Sequence, residues 1–315
     1  MAGIIFGAIA IRWITADFEV IFGYDAWWFF RHTQEIYDNN FIAPQWDTLS
    51  HFPPGRPVDY NLGWSYTIAI FYAMVHPLFP ALTLMKFAGL FVTVFAALSA
   101  IPAYLLGRMI TNRWGGLVAA TCAVIPFAFL SVSVAGYPDS DSAVVFYSFL
   151  AILTTFYAVR KANKLNFENA KIFFKSFGMY LPYLAPALLA FWLFSLNWKY
   201  AFYIYFILLF FIPLLILFRF LEGKILLHER GYLSLVYQKI VQNRNAIFTI
   251  VLLGLFGEAI SLVTSGSPYN ARPLYDQVII GLAVTRLDIL GILIFSTLFT
   301  LIGAIIGSSI GRLKG

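Results

Sequence analysis

The stretch Leu82-Thr-Leu-Met-Lys-Phe-Ala-Gly-Leu-Phe-Val-Thr-Val-Phe-Ala-Ala-Leu-Ser-Ala-Ile-Pro-Ala-Tyr-Leu-Leu-Gly107 carries a single charge, Lys86. A helix rises about 1.5 Å per residue, so this run exceeds the ~30 Å hydrocarbon core of a bilayer. Applied outward along the chain, the same test predicts eight spans: 1–16, 82–107, 115–134, 142–159, 177–196, 198–218, 246–265 and 288–309. Composition agrees. The chain is 61% hydrophobic and 11% charged, with a mean hydropathy of +0.80, leaving too little polar surface to cover a water-soluble fold. The fold expected is an all-α, polytopic helical membrane bundle, one transmembrane domain over 1–315. Its first apolar stretch reads as a span and not as a cleavable signal, since no basic leader precedes it.

Between the first two predicted spans lies a long segment, 15–82, containing the apolar run Leu62–Phe79. Pro77 and Pro80 close that run, and Trp64, Tyr66 and Tyr72 are aromatics suited to a headgroup zone, so it is expected to lie on the membrane surface. With that assignment, fourteen of the twenty-one Lys and Arg fall on one face and eleven of the fifteen Asp and Glu on the other. The basic face is then cytoplasmic and the acidic face extracytoplasmic. The acidic face receives the loops 15–82, 135–142 and 266–287. The formal charge of +6 is scattered over short connections with no basic stripe, which excludes nucleic acid as a partner and leaves membrane lipids. The mixed stretch 219–245 reads as an amphipathic cytoplasmic helix. Cys122 is the single cysteine, so neither a disulfide framework nor a thiolate metal site is available.

Two acidic motifs stand out on the extracytoplasmic side. Gly23-Tyr-Asp25-Ala-Trp-Trp-Phe-Phe-Arg31 places a carboxylate where a helix begins; helix capping alone accounts for one such acid. Gly136-Tyr-Pro-Asp139-Ser-Asp141-Ser142 joins the third and fourth predicted spans. A cap needs one acid there, and two in a short turn repel unless a proton or cation lies between them. Hard divalent ions take such oxygen ligands. Glu258 falls inside the seventh predicted span, facing other helices or a cavity, while His32 and His51 lack metal-ligand spacing. Pro102, Pro126, Pro186 and Pro213 read as kinks.

Those motifs, with Phe52-Pro-Pro-Gly55 and Ile101-Pro-Ala-Tyr-Leu-Leu-Gly107 in order between them, resemble the catalytic subunit of oligosaccharyltransferase, a family that includes single-subunit archaeal and bacterial enzymes of GT-C fold. The resemblance runs from about residue 1 to 161. It implies transfer of a glycan from a polyprenyl (dolichyl or undecaprenyl) phosphate or pyrophosphate to Asn in Asn-x-Ser/Thr of an acceptor polypeptide, with Mg²⁺ or Mn²⁺. Asp25 matches the family's first-loop acid, which binds metal and engages the acceptor amide. Asp139 and Asp141 match the second-loop pair that completes the metal's shell, so these three are the expected catalytic and metal residues.

The chain departs from the family at three places. Where members carry Arg shortly before the second acidic pair, it has Val132, so the donor-phosphate candidates become Lys199, Arg272 and Arg31. The later external loop has no clear match to the family's Glu, and the soluble C-terminal domain with its Trp-Trp-Asp-Tyr-Gly signature has no counterpart. The expectation is a truncated piece, inactive by itself. Two other readings share some of these features. A protein O-mannosyltransferase-like enzyme shares the first acid, and Asp139 with Asp141 argues against it. A cation-binding transporter would need ionisable groups running through the bilayer, and the spans offer few beyond Glu258.

Overall fold

The computed structural model describes residues 1–58, 61–198, 200–201, 204, 207, 214, 217, 221 and 243–264. Helix α1 (Ala2–Arg12) ends in a tight turn, Trp13–Thr15. Next come α2 (Tyr24–Asp38), a two-residue antiparallel pair of β1 (Trp46–Asp47) and β2 (Arg56–Pro57), and α3 (Gly63–Val75). Then follow α4 (Leu84–Leu98), α5 (Ala100–Ile110), α6 (Arg113–Val124), α7 (Phe127–Ser131), α8 (Asp141–Lys161) and α9 (Ala170–Asn197). The last described helix is α10 (Arg244–Thr264). The helical fold class stands.

Among the described residues, three stretches are long and apolar enough to cross a membrane: Leu84–Ile110, Asp141–Lys164 and Ala170–Asn197. In the first, α4 runs into α5 through Ser99, which keeps helical dihedrals of φ −58° and ψ −23°. α9 begins before the expected residue 177 because Asn169 caps it, its Oδ1 accepting from Ile172 N at 3.0 Å. Pro182 and Pro186 sit inside α9 without ending it.

The expected span 115–134 is interrupted. α6 stops at Val124, and Pro126, at φ −51° and ψ +132°, turns the chain out of the helix before α7 begins. Proline lacks the N–H that would continue the ladder and its ring collides with the preceding turn. What reads as a kink is therefore a break. α3, at thirteen residues, is ~20 Å long, short of a bilayer crossing, in keeping with a helix that does not span. The expected span 246–265 corresponds to α10. Of 198–218 only isolated positions are described, and 288–309, most of 219–245 and the Glu258 side chain lie outside the described residues.

Two cores hold the helices. A seam of small side chains, Ala8, Ala97, Ala100, Ala103, Ala120 and Ala123, joins α1, α4, α5 and α6. Close approach is enforced at Gly116 of α6, where a Cβ would come within 2.8 Å of the Tyr104 carbonyl oxygen; small residues are the usual solution where membrane helices touch. The larger core is aromatic, with Phe29, Trp64, Phe87, Phe95, Tyr147, Phe191 and Phe194 among its members. Tyr180 of α9 ties its far end: its hydroxyl lies 3.2 Å from the Ala158 carbonyl and 2.9 Å from Thr249 Oγ1. Three helices meet on that one oxygen, with no buried polar atom of the phenol unmatched.

Candidate active site

The two acidic motifs are brought together by main-chain hydrogen bonds. Phe22 N donates to Gly136 O at 2.7 Å, Gly136 N to Gly89 O of α4 at 3.1 Å, and Ala135 N to Arg12 O at 2.9 Å. Thr15 Oγ1 donates to Ala135 O at 2.6 Å. The residues before Asp25 and those before Asp139 thus share one joint. Glycine is required in it twice. Gly136 has φ +88°, and a Cβ there would lie 2.6 Å from Val20 O. Gly23, the residue before α2, has φ +83° and ψ +156°, a region essentially closed to other residues.

Arg12 anchors this joint from α1. Its guanidinium is fully buried, with Nε donating to Ser133 Oγ at 2.8 Å, Nη2 to Val124 O at 2.8 Å and Nη1 to Ala8 O at 3.0 Å. It also lies 5.0 Å from the centroid of the Phe129 ring, a cation–π distance. Among the described residues no carboxylate pairs with it. The charge is met by neutral acceptors that link α1 to both sides of the Pro126 break.

From the joint the chain turns into Asp139. Trp64 of α3, fully buried, donates its indole N–H to Pro138 O at 3.0 Å. Asp139 N closes back on Tyr137 O at 2.8 Å. Its carboxylate Oδ1 accepts from Ser140 N at 2.5 Å and Ser140 Oγ at 3.2 Å. Asp139 is only 7% exposed. Burial pushes its carboxyl up, the Asp141 and Asp25 charges push it further against the opposing Ser140 N–H, and it settles at about 6. Asp141 stands in the first turn of α8 and Asp25, exposed, in the first turn of α2, each where the helix dipole favours an anion. The Tyr137 ring lies over Gly23: a Cβ on that glycine would come within 2.5 Å of the ring and 2.9 Å of its hydroxyl. Burial raises the Tyr137 phenol above its usual range, as do the charges of Asp139, Asp141 and Asp25.

The three acids therefore feel one another, yet among the described residues no three His, Cys, Asp or Glu side chains close into a ready-made cage for a metal ion. Arg31 is already occupied. Its Nη1 meets Glu35 Oε1 at 3.2 Å and its Nη2 meets Asp47 Oδ2 at 2.6 Å. Asp47 is buried and also accepts from Trp28 Nε1, Leu49 N, Ser50 N and Ser50 Oγ. Burial alone would raise its carboxyl, but the bonds from Arg31, Ser50 and Leu49 win and hold it well below the usual carboxylate range. Lys199 and Arg272 lie outside the described residues. Arg12, Trp64 and Tyr137 were not singled out from the sequence for this site; an arginine ending an apolar helix and a tyrosine beside a positive-φ glycine were the available signals.

A family model described as "Oligosaccharyl transferase STT3, N-terminal" matches residues 10–310. The chain belongs to this STT3 family. That agrees with the motif resemblance and extends it well past residue 161. The STT3B subunit of a dolichyl-diphosphooligosaccharide–protein glycosyltransferase from Oryza sativa subsp. japonica is 31% identical over 149 residues, 46% of this chain and 20% of that protein. The dolichyl-monophosphooligosaccharide–protein glycotransferase AglB of Haloferax volcanii is 28% identical over 145 residues, 45% of this chain and 14% of that protein. The matched regions are thus a small part of these STT3 relatives. In fold, the chain resembles the oligosaccharyltransferase AglB of Archaeoglobus fulgidus, solved with an inhibitory peptide and a dolichol-phosphate: TM-score 0.55 and 15% identity, over 93% of this chain and 37% of that one. The same Archaeoglobus enzyme tethered to an acceptor peptide containing the NVT sequon gives a TM-score of 0.54 at 15% identity, over 93% and 38%. Its complex with Zn and sulfate gives 0.52 at 16% identity, over 92% and 40%.

Proposed function

We propose that this chain is the membrane part of an oligosaccharyltransferase catalytic subunit, moving an oligosaccharide from a polyprenyl (dolichyl) phosphate or pyrophosphate carrier to Asn in Asn-x-Ser/Thr. The observation that carries the reading is the joint between the two loops, which places buried Asp139 under the charges of Asp25 and Asp141. Membership of the STT3 family supplies the reaction class. The Archaeoglobus enzyme's dolichol-phosphate and sequon peptide match the two substrates, a lipid-linked donor and an acceptor polypeptide. The protein is integral to the membrane and multi-pass, and the acids face the extracytoplasmic side, the outside of the cell membrane in a prokaryote.

Asp25, Asp139 and Asp141 form the metal site in this reading. Carboxylate oxygens suit Mg²⁺ or Mn²⁺, and an Asp139 that resists ionisation on its own is relieved by a cation. Bound there, the ion would supply positive charge against the charge developing on the departing phosphate. The carboxylates accept the amide N–H groups and hold the nitrogen in line with the anomeric carbon. The new bond joins that nitrogen to that carbon as the bond from carbon to phosphate oxygen breaks, its electron pair leaving on the phosphate. The amide proton passes to a carboxylate. Arg31 would have to leave Glu35 and Asp47 to meet the phosphate, so Lys199 and Arg272 are the candidates to test first.

The deciding experiment is glycosylation of an Asn-x-Thr peptide by the full-length gene product in membranes, with and without Mn²⁺, for wild type and Asp139→Ala. Transfer that needs Mn²⁺ and is lost in the variant is expected. Metal-independent transfer, or an unimpaired variant, overturns the site.

A further inference from the structure

We propose that the Tyr137 hydroxyl binds the acceptor substrate directly, donating a hydrogen bond to the carbonyl oxygen of its carboxamide. The inference rests on the oligosaccharyltransferase reading and adds a residue to it. A carboxamide presents two N–H donors and one carbonyl acceptor. Three ionised carboxylates can serve only the N–H groups, and a carbonyl left unmatched in a desolvated site costs affinity. A neutral donor beside the acids would match it.

Tyr137 is placed for that task. Its ring lies over Gly23, two residues before Asp25 at the entrance to α2, and Tyr137 itself stands two residues before Asp139. The residue is half-buried. Among the described residues its hydroxyl has no hydrogen-bond partner. Of the serine hydroxyls beside the acids, Ser140 Oγ is already engaged with Asp139, and Ser142 Oγ, though without a partner among the described residues, is fully buried and closed to a substrate. A phenol ionises near pH 10 in its ordinary range, so at working pH it is a donor with no charge to repel a nearby cation. The ring is held between the two loops by backbone that admits only glycine at positions 23 and 136, which fixes the oxygen before substrate arrives.

The test compares wild type with Tyr137→Phe, which keeps the ring on Gly23 and removes only the oxygen. Acceptor-peptide KM in the glycosylation assay should rise about three- to tenfold, the range of one hydrogen bond, while the lipid-linked donor's KM stays unchanged. Fluorescence anisotropy of a labelled peptide should give the same ratio in affinity. A second peptide carries 2,4-diaminobutyrate in place of Asn, which keeps the nitrogen and lacks the carbonyl oxygen. Wild type and Tyr137→Phe should bind it equally. A variant with unchanged affinity for the Asn peptide, a change confined to donor KM, or an equal loss on both peptides overturns the inference while leaving the oligosaccharyltransferase reading intact. Failure of wild type itself to glycosylate the Asn peptide overturns both.

Discussion

At Asp139 burial and charge act in the same direction. Its carboxyl rises from 3.8 to about 6. Because the folded value lies above the unfolded one, ionisation of this group opposes folding. The penalty is absent below pH 4, grows as pH rises toward 6 and is complete above it, on the order of 3 kcal/mol from the size of the shift. In metal-free protein Asp139→Asn should therefore raise the melting temperature at pH 8 and leave it unchanged near pH 4; equal melting curves at both pH values would refute the shift. Mn²⁺ affinity, which needs the ionised form, should fall as pH drops through 6. Arg12 is the second residue whose chemistry is set by burial. Replacing it with Met leaves the Val124 carbonyl unpaired, at about 1–3 kcal/mol, and takes a donor from Ser133 Oγ, which keeps its own bond to the Phe129 carbonyl. Thermal unfolding in detergent should drop accordingly, with Lys at position 12 recovering part of the loss. Asp25, Asp139 and Asp141 were legible as candidates because each sits in a short motif. Arg12 and Trp64 were not, since their partners Ser133 and Pro138 are 121 and 74 residues away and no local pattern announces such a contact.

Elements differ in how plainly the sequence marks them. α8 and α9 are continuous apolar runs with a clear start, an acid in the first turn of one and a capping Asn at the other, and they fall close to where hydropathy puts them. The region 115–134 is as apolar, but hydropathy does not register a backbone that turns at Pro126, so one expected span becomes α6, a break and α7. The pairing of β1 with β2 is invisible to periodicity, being two residues long on each side. What fixes it is Asp47, whose carboxylate gathers Arg31, Trp28, Leu49 and Ser50. Its depressed pKa means this anchor contributes stability at neutral pH that is lost as pH falls below about 4. Asp47→Ala should release the 46–57 hairpin from α2, leaving the membrane helices intact. Hydrogen exchange at Leu49 and Ser50 would accelerate by tenfold or more, and unchanged protection would mean that the hairpin holds by other contacts.

For the whole molecule the testable quantity is sidedness. The charge count puts the 46–57 hairpin outside the cell and the segment after α8, with Arg160, Lys161 and Lys164, inside. Cysteines placed at Leu49 and Asn166 in a Cys122→Ala background should respond oppositely to a membrane-impermeant maleimide on intact cells, the first labelled and the second protected; the reverse pattern would invert the topology. The joint that unites the two acidic loops has a further consequence, in time instead of space. Its halves are separated by the whole of α3 to α7, so a ribosome making 5–20 residues per second needs roughly 6–23 s to pass from Asp25 to Asp139. Through that interval Phe22 has no Gly136 carbonyl to donate to and Arg12 no Ser133. The first loop must wait, unlatched, at the translocation site, and whatever shelters Phe18, Val20 and Phe22 there decides how many newborn chains reach the closed form.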